Sequence, residues 1–120
     1  MSLRAMLTQN KVITGKTSGY PDIQPLRVKQ KPSEVFSAVE KVASSQGNWR
    51  NIEADQENHK LTAEAVTRLL KFVDDVEIWL TEEDGETVVW MKSQSRVGKA
   101  DFGANAKRIR NFLAELESAL

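Results

Sequence analysis

Two segments of the sequence combine acidic, basic and small polar side chains where apolar ones would make a simpler core. The first contains Asp74 and Asp75, and the second runs over residues 93–108. Such side chains could bind a polar or anionic group, or could transfer protons. The candidate residues, which form either a polar site or a structural clamp, are Asp74, Asp75, Ser93, Ser95, Arg96, Asp101, Asn105 and Arg108.

The same residues argue against most catalytic chemistry. Asp74 and Asp75 are adjacent in a predicted strand, so they point to opposite faces and cannot work as a paired acid and base. The sequence has no cysteine and one histidine, His59, which excludes a thiolate nucleophile and argues against a transition-metal site. We therefore expect no metal and no cofactor, and an enzyme is the less favoured class.

The composition is that of a single domain. The chain has 120 residues with 17 basic and 17 acidic side chains, so its total charge gives no indication of nucleic acid or of an anionic membrane. No apolar run approaches the roughly 18 residues of a membrane span. We expect a soluble protein with a flexible N-terminal arm at residues 1–20 and one domain at residues 21–120.

The elements that must position the candidate residues begin with a strand and a helix. Apolar and charged side chains alternate over residues 26–29, which is typical of a half-buried strand, and nearby prolines confine it to an edge. Pro32 then stands at a favourable first-turn position, and apolar residues follow at helical spacing until Gly47 ends the helix.

Two hairpins follow, and the second is the better defined. Asp84-Gly85 is a strong two-residue turn signal that fixes the register of its flanking strands. This register pairs Asp74 with Ser95 and places Trp79 opposite Trp90.

In the first hairpin, pairing Glu53 with Lys60 places Trp49 on the face away from the helices. Trp79 and Trp90 project from the same face. Charged side chains could cover the rings, or the face could be an interface, most simply a twofold homodimer. The possible interface residues are Trp49, Trp79 and Trp90.

The last element is a helix from about Asp101 to Leu120, with Asp101 at its N-cap. Its apolar stripe comprises Phe102, Ala106, Ile109, Leu113, Leu116 and Leu120. The sequence predicts an α+β fold with a single antiparallel sheet of about five strands. The order is strand, helix, four-strand meander, helix, and both helices pack on one face, as in helix-grip folds.

The predicted register brings Asp74 under the start of the final helix. Since an unpaired buried charge is costly, Asp74 needs a partner, and we expect Arg108 or Arg96 with Asn105 and the serines completing a network. Two interpretations stay open. The network is a clamp that fixes the angle between helix and sheet, or it lines a cleft for a polar or anionic ligand.

The candidate segments also resemble a known family. FVDDVE at residues 72–77, followed by SQSRVGKADFGANAKRI at residues 93–109, is similar to the signature of a bacterial and plant family called domain of unknown function 1499. Many members carry a cysteine-containing segment before the domain, which this sequence lacks. This departure from the family pattern argues against a secreted or lipid-anchored location, so we expect a cytoplasmic or plastid one. The resemblance brings no established activity. The matching positions are Asp74, Asp75, Ser93, Ser95, Arg96, Gly98, Asp101, Gly103, Asn105 and Arg108.

The leading hypothesis is a noncatalytic binding or scaffolding domain that uses the polar cluster at the junction of sheet and final helix. The first alternative is an enzyme that acts on a small anionic substrate through Asp74 or Asp75 and Arg96. The second is a lipid or pigment carrier that uses an unfilled space between sheet and long helix. That carrier requires that Phe36, Met91 and Ile109 do not fill the core.

Overall fold

The computed structural model describes residues 10–98, 101 and 103–120. Its elements in chain order are β1 (Lys11–Ile13), β2 (Leu26–Val28), α1 (Pro32–Ser44), β3 (Trp49–Asp55), β4 (Lys60–Val66), β5 (Val73–Glu83), β6 (Glu86–Ser95) and α2 (Ala104–Ala119). The strands form one antiparallel sheet in the order β1-β6-β5-β4-β3, and β2 also pairs with β6.

Both helices pack on one face of the sheet. The helix α1 contacts β3 and β5, while α2 contacts β6, β1 and α1. Their apolar stripes and the inward side chains of the strands form one core, which includes Phe36, Met91 and Ile109. The predicted α+β class with a single antiparallel sheet is therefore confirmed, with six strands in place of about five.

The additional strand is β1, and it corrects the expectation of a flexible arm at residues 1–20. Lys11–Ile13 pairs with Lys92–Gln94 of β6, and both Val12 and Tyr20 are buried. The short strand β2 covers only Thr87–Val89 of the same β6 edge. Because backbone groups at a partly buried edge need partners, β1 completes the pairing. Residues 1–9 of the expected arm lie outside the described residues.

The second hairpin has the predicted register. Asp74 pairs with Ser95 and Trp79 pairs with Trp90. Asp84 and Gly85 adopt positive φ angles of 54° and 79°, as a two-residue hairpin turn of this kind requires. Local turn chemistry therefore aligned the strand that carries Asp74.

The first hairpin does not have the predicted register. Asp55, not Glu53, pairs with Lys60, and the register shifts again between Arg50 and Glu53. Asn51 lies within this irregularity with a positive φ of 52°. An extra residue in one strand reverses the face to which the following side chains point.

The placement of Trp49 on the outer face was consequently wrong. Trp49 is buried in the core, where its ring stacks on Phe112 of α2 with centroids 5.2 Å apart. Phe112 is also buried, whereas Leu113 of the predicted stripe is only half-buried. The predicted stripe residue Phe102 lies outside the described residues.

Trp79 and Trp90 do project from the outer face. Their rings stack with centroids 6.4 Å apart, and the Lys16 ammonium lies 5.5 Å from the centre of the Trp90 ring. Trp90 Nε1 donates a hydrogen bond to Thr81 Oγ1 at 2.9 Å. These contacts favour the interpretation in which polar and charged neighbours cover the rings.

Replacement of Trp49 tests the corrected register. We expect Trp49→Ala to lower the free energy of unfolding by about 3–5 kcal/mol, because it removes a buried ring from the core. Trp79→Ala is the matched control and should cost clearly less, since its ring lies on the solvent-facing side. Urea denaturation of both variants measures this. Equal losses, or a larger loss for Trp79→Ala, would contradict the inward placement of Trp49.

Candidate functional site

The centre of the candidate site is a buried ion pair between sheet and helix. Asp74, near the start of β5, is 1% exposed. Arg108, in the first part of α2, places Nη1 2.8 Å from Asp74 Oδ2, and its side chain is 11% exposed. The partner of Asp74 is therefore Arg108. An arginine at this distance compensates the charge of a carboxylate removed from water.

Asn105 connects this ion pair to several elements. Its Oδ1 accepts hydrogen bonds from Ser93 Oγ at 2.6 Å and from Arg108 Nη1 at 3.0 Å. Its Nδ2 donates towards Ser95 Oγ at 3.0 Å and towards the Asn10 carbonyl oxygen at 3.0 Å. One buried amide thus joins α2 to β6 and to the residue before β1.

Asp101 extends the network and caps α2 from outside the helix. Its carboxylate accepts hydrogen bonds from the Gly103 backbone N–H at 2.8 Å and from the Asn105 backbone N–H at 3.3 Å, and Asn105 Nδ2 lies 2.7 Å from its Oδ2. The helix begins at Ala104, after Gly103 with a φ of 86°, and not at Asp101 as predicted. A left-handed residue favours glycine, and it turns the chain into the helix after Asp101.

One oxygen of Asp74 keeps an unused acceptor position. Arg108 Nη1 carries two hydrogens, and it donates to Ser93 Oγ and to Asn105 Oδ1, each at 3.0 Å. Asp74 Oδ2 is fully buried and, within the part of the chain that the structure describes, no donor makes a hydrogen bond to it. Its charge is compensated by the nearby guanidinium, but its hydrogen-bonding capacity is not used.

Asp75 and Arg96 do not belong to this cluster. They lie on the outer face, where Arg96 Nε and Nη2 donate to the two Asp75 oxygens at 2.9 and 2.6 Å. Arg96 Nη2 also donates to Glu64 Oε2 at 2.9 Å. These bonds from Arg96, followed by those from Arg50, lower the pKa of Glu64. Of the two predicted partners of Asp74, Arg108 is therefore confirmed and Arg96 is wrong. Arg96 follows the inward-facing Ser95, and neighbouring side chains in a strand alternate between faces.

A pocket of about 580 Å³ opens at the end of the sheet beside Asp74. It lies between the β4–β5 turn and the residues that follow β6. Its polar lining includes Asp74, Ser95 and Asp101, and its apolar lining comprises Leu69, Leu70, Phe72, Val97 and Ala104. Volumes of this order are typical of small-molecule sites.

The exposed apolar residues that line this pocket were not predicted from the sequence to form a site. Leu69 is 90% exposed, Leu70 64%, Phe72 42% and Val97 56%. The available signal was the apolar Leu69-Leu70 pair within a turn between two strands, where polar residues are usual. Thr67 holds this turn, because its Oγ1 and N–H both bond to the backbone of Phe72, each at 2.8 Å.

Tyr20 is a second buried group that the residue patterns did not single out. Its hydroxyl is buried and has no hydrogen-bond partner among the described residues. Burial raises the pKa of Tyr20, the Asp101 carboxylate raises it further, and Arg110 opposes both. The Arg110 guanidinium lies 5.6 Å from the centre of the Tyr20 ring and pairs with Asp22 at 2.8 Å.

An antiparallel sheet covered on one face by two helices, with a pocket where the C-terminal helix begins, defines an α+β domain of helix-grip type. The chain belongs to the family described as "Protein of unknown function (DUF1499)", whose model matches residues 4–116. No curated protein matches the sequence. Within the described residues, no helix is both long and apolar enough to cross a membrane.

A solved structure with a similar fold is CalU16 from Micromonospora echinospora. The two proteins are 17% identical, with a TM-score of 0.54. The likeness covers 90% of this chain and 85% of the CalU16 chain. At this identity the similarity shows a shared fold and carries no statement about function.

Breaking the buried pair tests its structural role. We expect Arg108→Met to lower the free energy of unfolding by about 3–5 kcal/mol, because Asp74 would be left buried without a compensating charge. Asp74→Leu/Arg108→Met should recover much of this loss, since it removes both charges. Arg96→Met is the control at an exposed arginine and should change stability much less. Unchanged melting of Arg108→Met would exclude the clamp.

Proposed function

We propose that this protein is a noncatalytic binding domain whose pocket receives a small amphipathic ligand, with an apolar body and a polar head that donates hydrogen bonds. The observation that carries this proposal is Asp74. Its carboxylate lines the pocket beside Ser95 and Asp101, and within the described chain no donor makes a hydrogen bond to its Oδ2. The carboxylate therefore keeps acceptor capacity that a hydrogen-bond donor on a bound ligand could use.

The charges around the pocket favour a neutral or cationic head over an anionic one. Asp74 and Asp101 both line it, and no described lining residue is cationic. Arg108 lies behind Asp74 and directs its Nη1 hydrogens to Ser93 and Asn105. An anionic head would therefore meet carboxylates without a facing guanidinium, which is unfavourable at short range.

The apolar body would lie between Leu70, Phe72 and Val97. Contacts of this kind contribute roughly 25 cal/mol for each Å² of apolar surface removed from water. The polar network also braces α2, so the same residues would act both as a structural clamp and as the floor of a binding site. A firmly held floor fits a binding site, because it needs no rearrangement when the ligand arrives.

The alternatives have less support. An enzyme that uses Asp74 would need Arg96 beside it, yet Arg96 lies on the outer face. An enzyme that uses Asp75 would need a free Arg96 to hold the anionic substrate, yet its guanidinium is engaged by Asp75 and Glu64. A carrier with its cargo between sheet and helix would need space where Phe36, Met91 and Ile109 are fully buried in the core. The pocket at the end of the sheet supplies the space instead.

Two further expectations stay predictions. A homodimer through the outer sheet face would now use Trp79 and Trp90 without Trp49, and Lys16 above Trp90 would have to be accommodated. Sedimentation at micromolar concentration tests this dimer. The cytoplasmic or plastid location also stays a prediction, which depends on the family resemblance and the absence of cysteine.

Binding of matched six-carbon probes tests the pocket. We expect calorimetry to show that hexylamine and hexanol bind at least about tenfold more tightly than hexanoate, because only the first two bring a hydrogen-bond donor to Asp74 at neutral pH. Asp74→Asn should weaken hexylamine by about tenfold or more, since it removes the charge of the acceptor.

The exposed wall supplies the control. Phe72→Ser should weaken the binding of hexylamine and hexanol by similar factors while leaving the melting temperature nearly unchanged. Hexanoate that binds as tightly as hexylamine would contradict the proposed head chemistry. Binding of hexylamine that is unaffected by Phe72→Ser would place the ligand elsewhere.

A further inference from the structure

The four exposed large apolar side chains of the described residues all lie at one end of the sheet. Leu69, Leu70 and Phe72 belong to the β4–β5 turn, and Val97 follows β6. Exposed apolar residues scattered singly need no explanation, but a group of this kind marks an interaction surface. We call these four residues together with Arg68 and Lys71 the apolar–basic rim.

The two basic residues of the rim are free to meet an anionic surface. Arg68 and Lys71 are exposed and flank the two leucines in sequence. Among the described residues, neither forms an ion pair, whereas Arg96 nearby is engaged by Asp75 and Glu64. The rim therefore adds two uncompensated positive charges to its apolar side chains.

The turn at the opposite end of the sheet is acidic. β5 runs from Val73 beside the rim to Glu83, and residues 82–86 at its far end contain four carboxylates. Arg27 contacts two of them, Glu83 at 3.1 Å and Glu86 at 4.0 Å. The rim is therefore the end of the sheet at which an anionic surface would not meet this acidic turn.

We propose that the apolar–basic rim is a membrane-docking surface, which inserts Leu69 and Leu70 into the headgroup region of an anionic bilayer. Arg68 and Lys71 then lie against lipid phosphates. Peripheral proteins bind bilayers by this combination of buried apolar area and attraction to anionic lipid. This inference goes beyond the proposed pocket ligand, because the rim would dock whether or not the pocket is filled.

A bilayer fits the rim better than a second copy of the chain. Stable protein interfaces bury roughly 1,200–2,000 Å² in total, which is far more than four side chains on two short segments provide. A twofold contact through the rim would also bring Arg68 and Lys71 of both copies together. Anionic lipids have no such repulsion, and they accept narrow apolar protrusions.

The rim is held in position for docking. Thr67, at the start of the turn, is hydrogen-bonded to its end: its N–H and Oγ1 bond to the Phe72 backbone, and its carbonyl oxygen accepts from the Lys71 N–H at 3.1 Å. Leu69 and Leu70 therefore protrude from a turn whose ends are fixed, and their insertion does not require the turn to rearrange. Docking in this orientation would also direct the pocket mouth towards the lipid.

Sedimentation with vesicles tests the proposal. We expect the protein to bind phosphatidylcholine vesicles that contain phosphatidylserine, with weaker binding at high salt, and to bind pure phosphatidylcholine vesicles much more weakly. Leu69→Gln/Leu70→Gln should lower partitioning by about tenfold or more, because it removes the inserted side chains. Arg68→Gln/Lys71→Gln should lower it by roughly tenfold on phosphatidylserine vesicles, since it removes two basic contacts.

The matched control is Lys29→Gln/Lys31→Gln, which removes the same charge from exposed positions beyond the far end of β2. It should bind like the wild-type protein, and all variants should keep the wild-type melting temperature. Equal loss in this control, unchanged binding of the leucine variant, or no binding of the wild type would overturn the proposal. Concentration-dependent dimerisation that the leucine variant abolishes, without vesicle binding, would assign the rim to a protein interface instead.

The pocket and the rim can fail separately. Arg68 and Lys71 do not line the pocket, so Arg68→Gln/Lys71→Gln should bind hexylamine like the wild-type protein. Loss of vesicle binding with intact hexylamine binding would show that membrane docking is separate from ligand binding, although the two share the apolar residues of the rim. Loss of both in this variant would contradict that distinction.

Discussion

The structure depends on one buried network between sheet and C-terminal helix. The charge of Asp74 is compensated by Arg108, and Asn105 bonds in two directions to the serines of β6 and to the Asn10 backbone. Buried polar groups are costly when they lose a partner, so α2 has little freedom to slide or rotate on the sheet. We therefore expect this network to set the angle between helix and sheet and the position of the pocket floor.

The same constraint explains why the unusual surface lies at this end of the sheet. α2 begins only at Ala104, after Asp101 has capped it from outside. The start of β5 at Asp74 and the end of β6 at Ser95 therefore line a pocket that the helix does not cover. The far end closes with a tight acidic turn at residues 82–86. Polar floor, apolar rim and free basic residues thus share one end of the domain.

The two wrong predictions, the outward placement of Trp49 and the absence of β1, had a common cause. A bulge near Asn51 turned Trp49 inward to stack on Phe112, and β1 was missed because its three residues gain their stability by pairing with β6. Neither outcome follows from the local pattern, since a bulge and a short edge strand depend on what packs against them. The family predicted from residues 72–77 and 93–109 is confirmed. Knowing the family did not reveal the contacts of Trp49 or of β1.

The sequence by itself determined the α+β class, both helices and the register of the second hairpin, because side-chain alternation and the Asp84-Gly85 turn act over a few residues. It thereby placed Asp74 opposite Ser95 and required a basic partner. Only the tertiary structure decided that this partner is Arg108. The tertiary structure also decided that Leu69 and Leu70 stay exposed. The packing of α2 and the path of the β4–β5 turn depend on contacts between residues distant in sequence, which local patterns do not show.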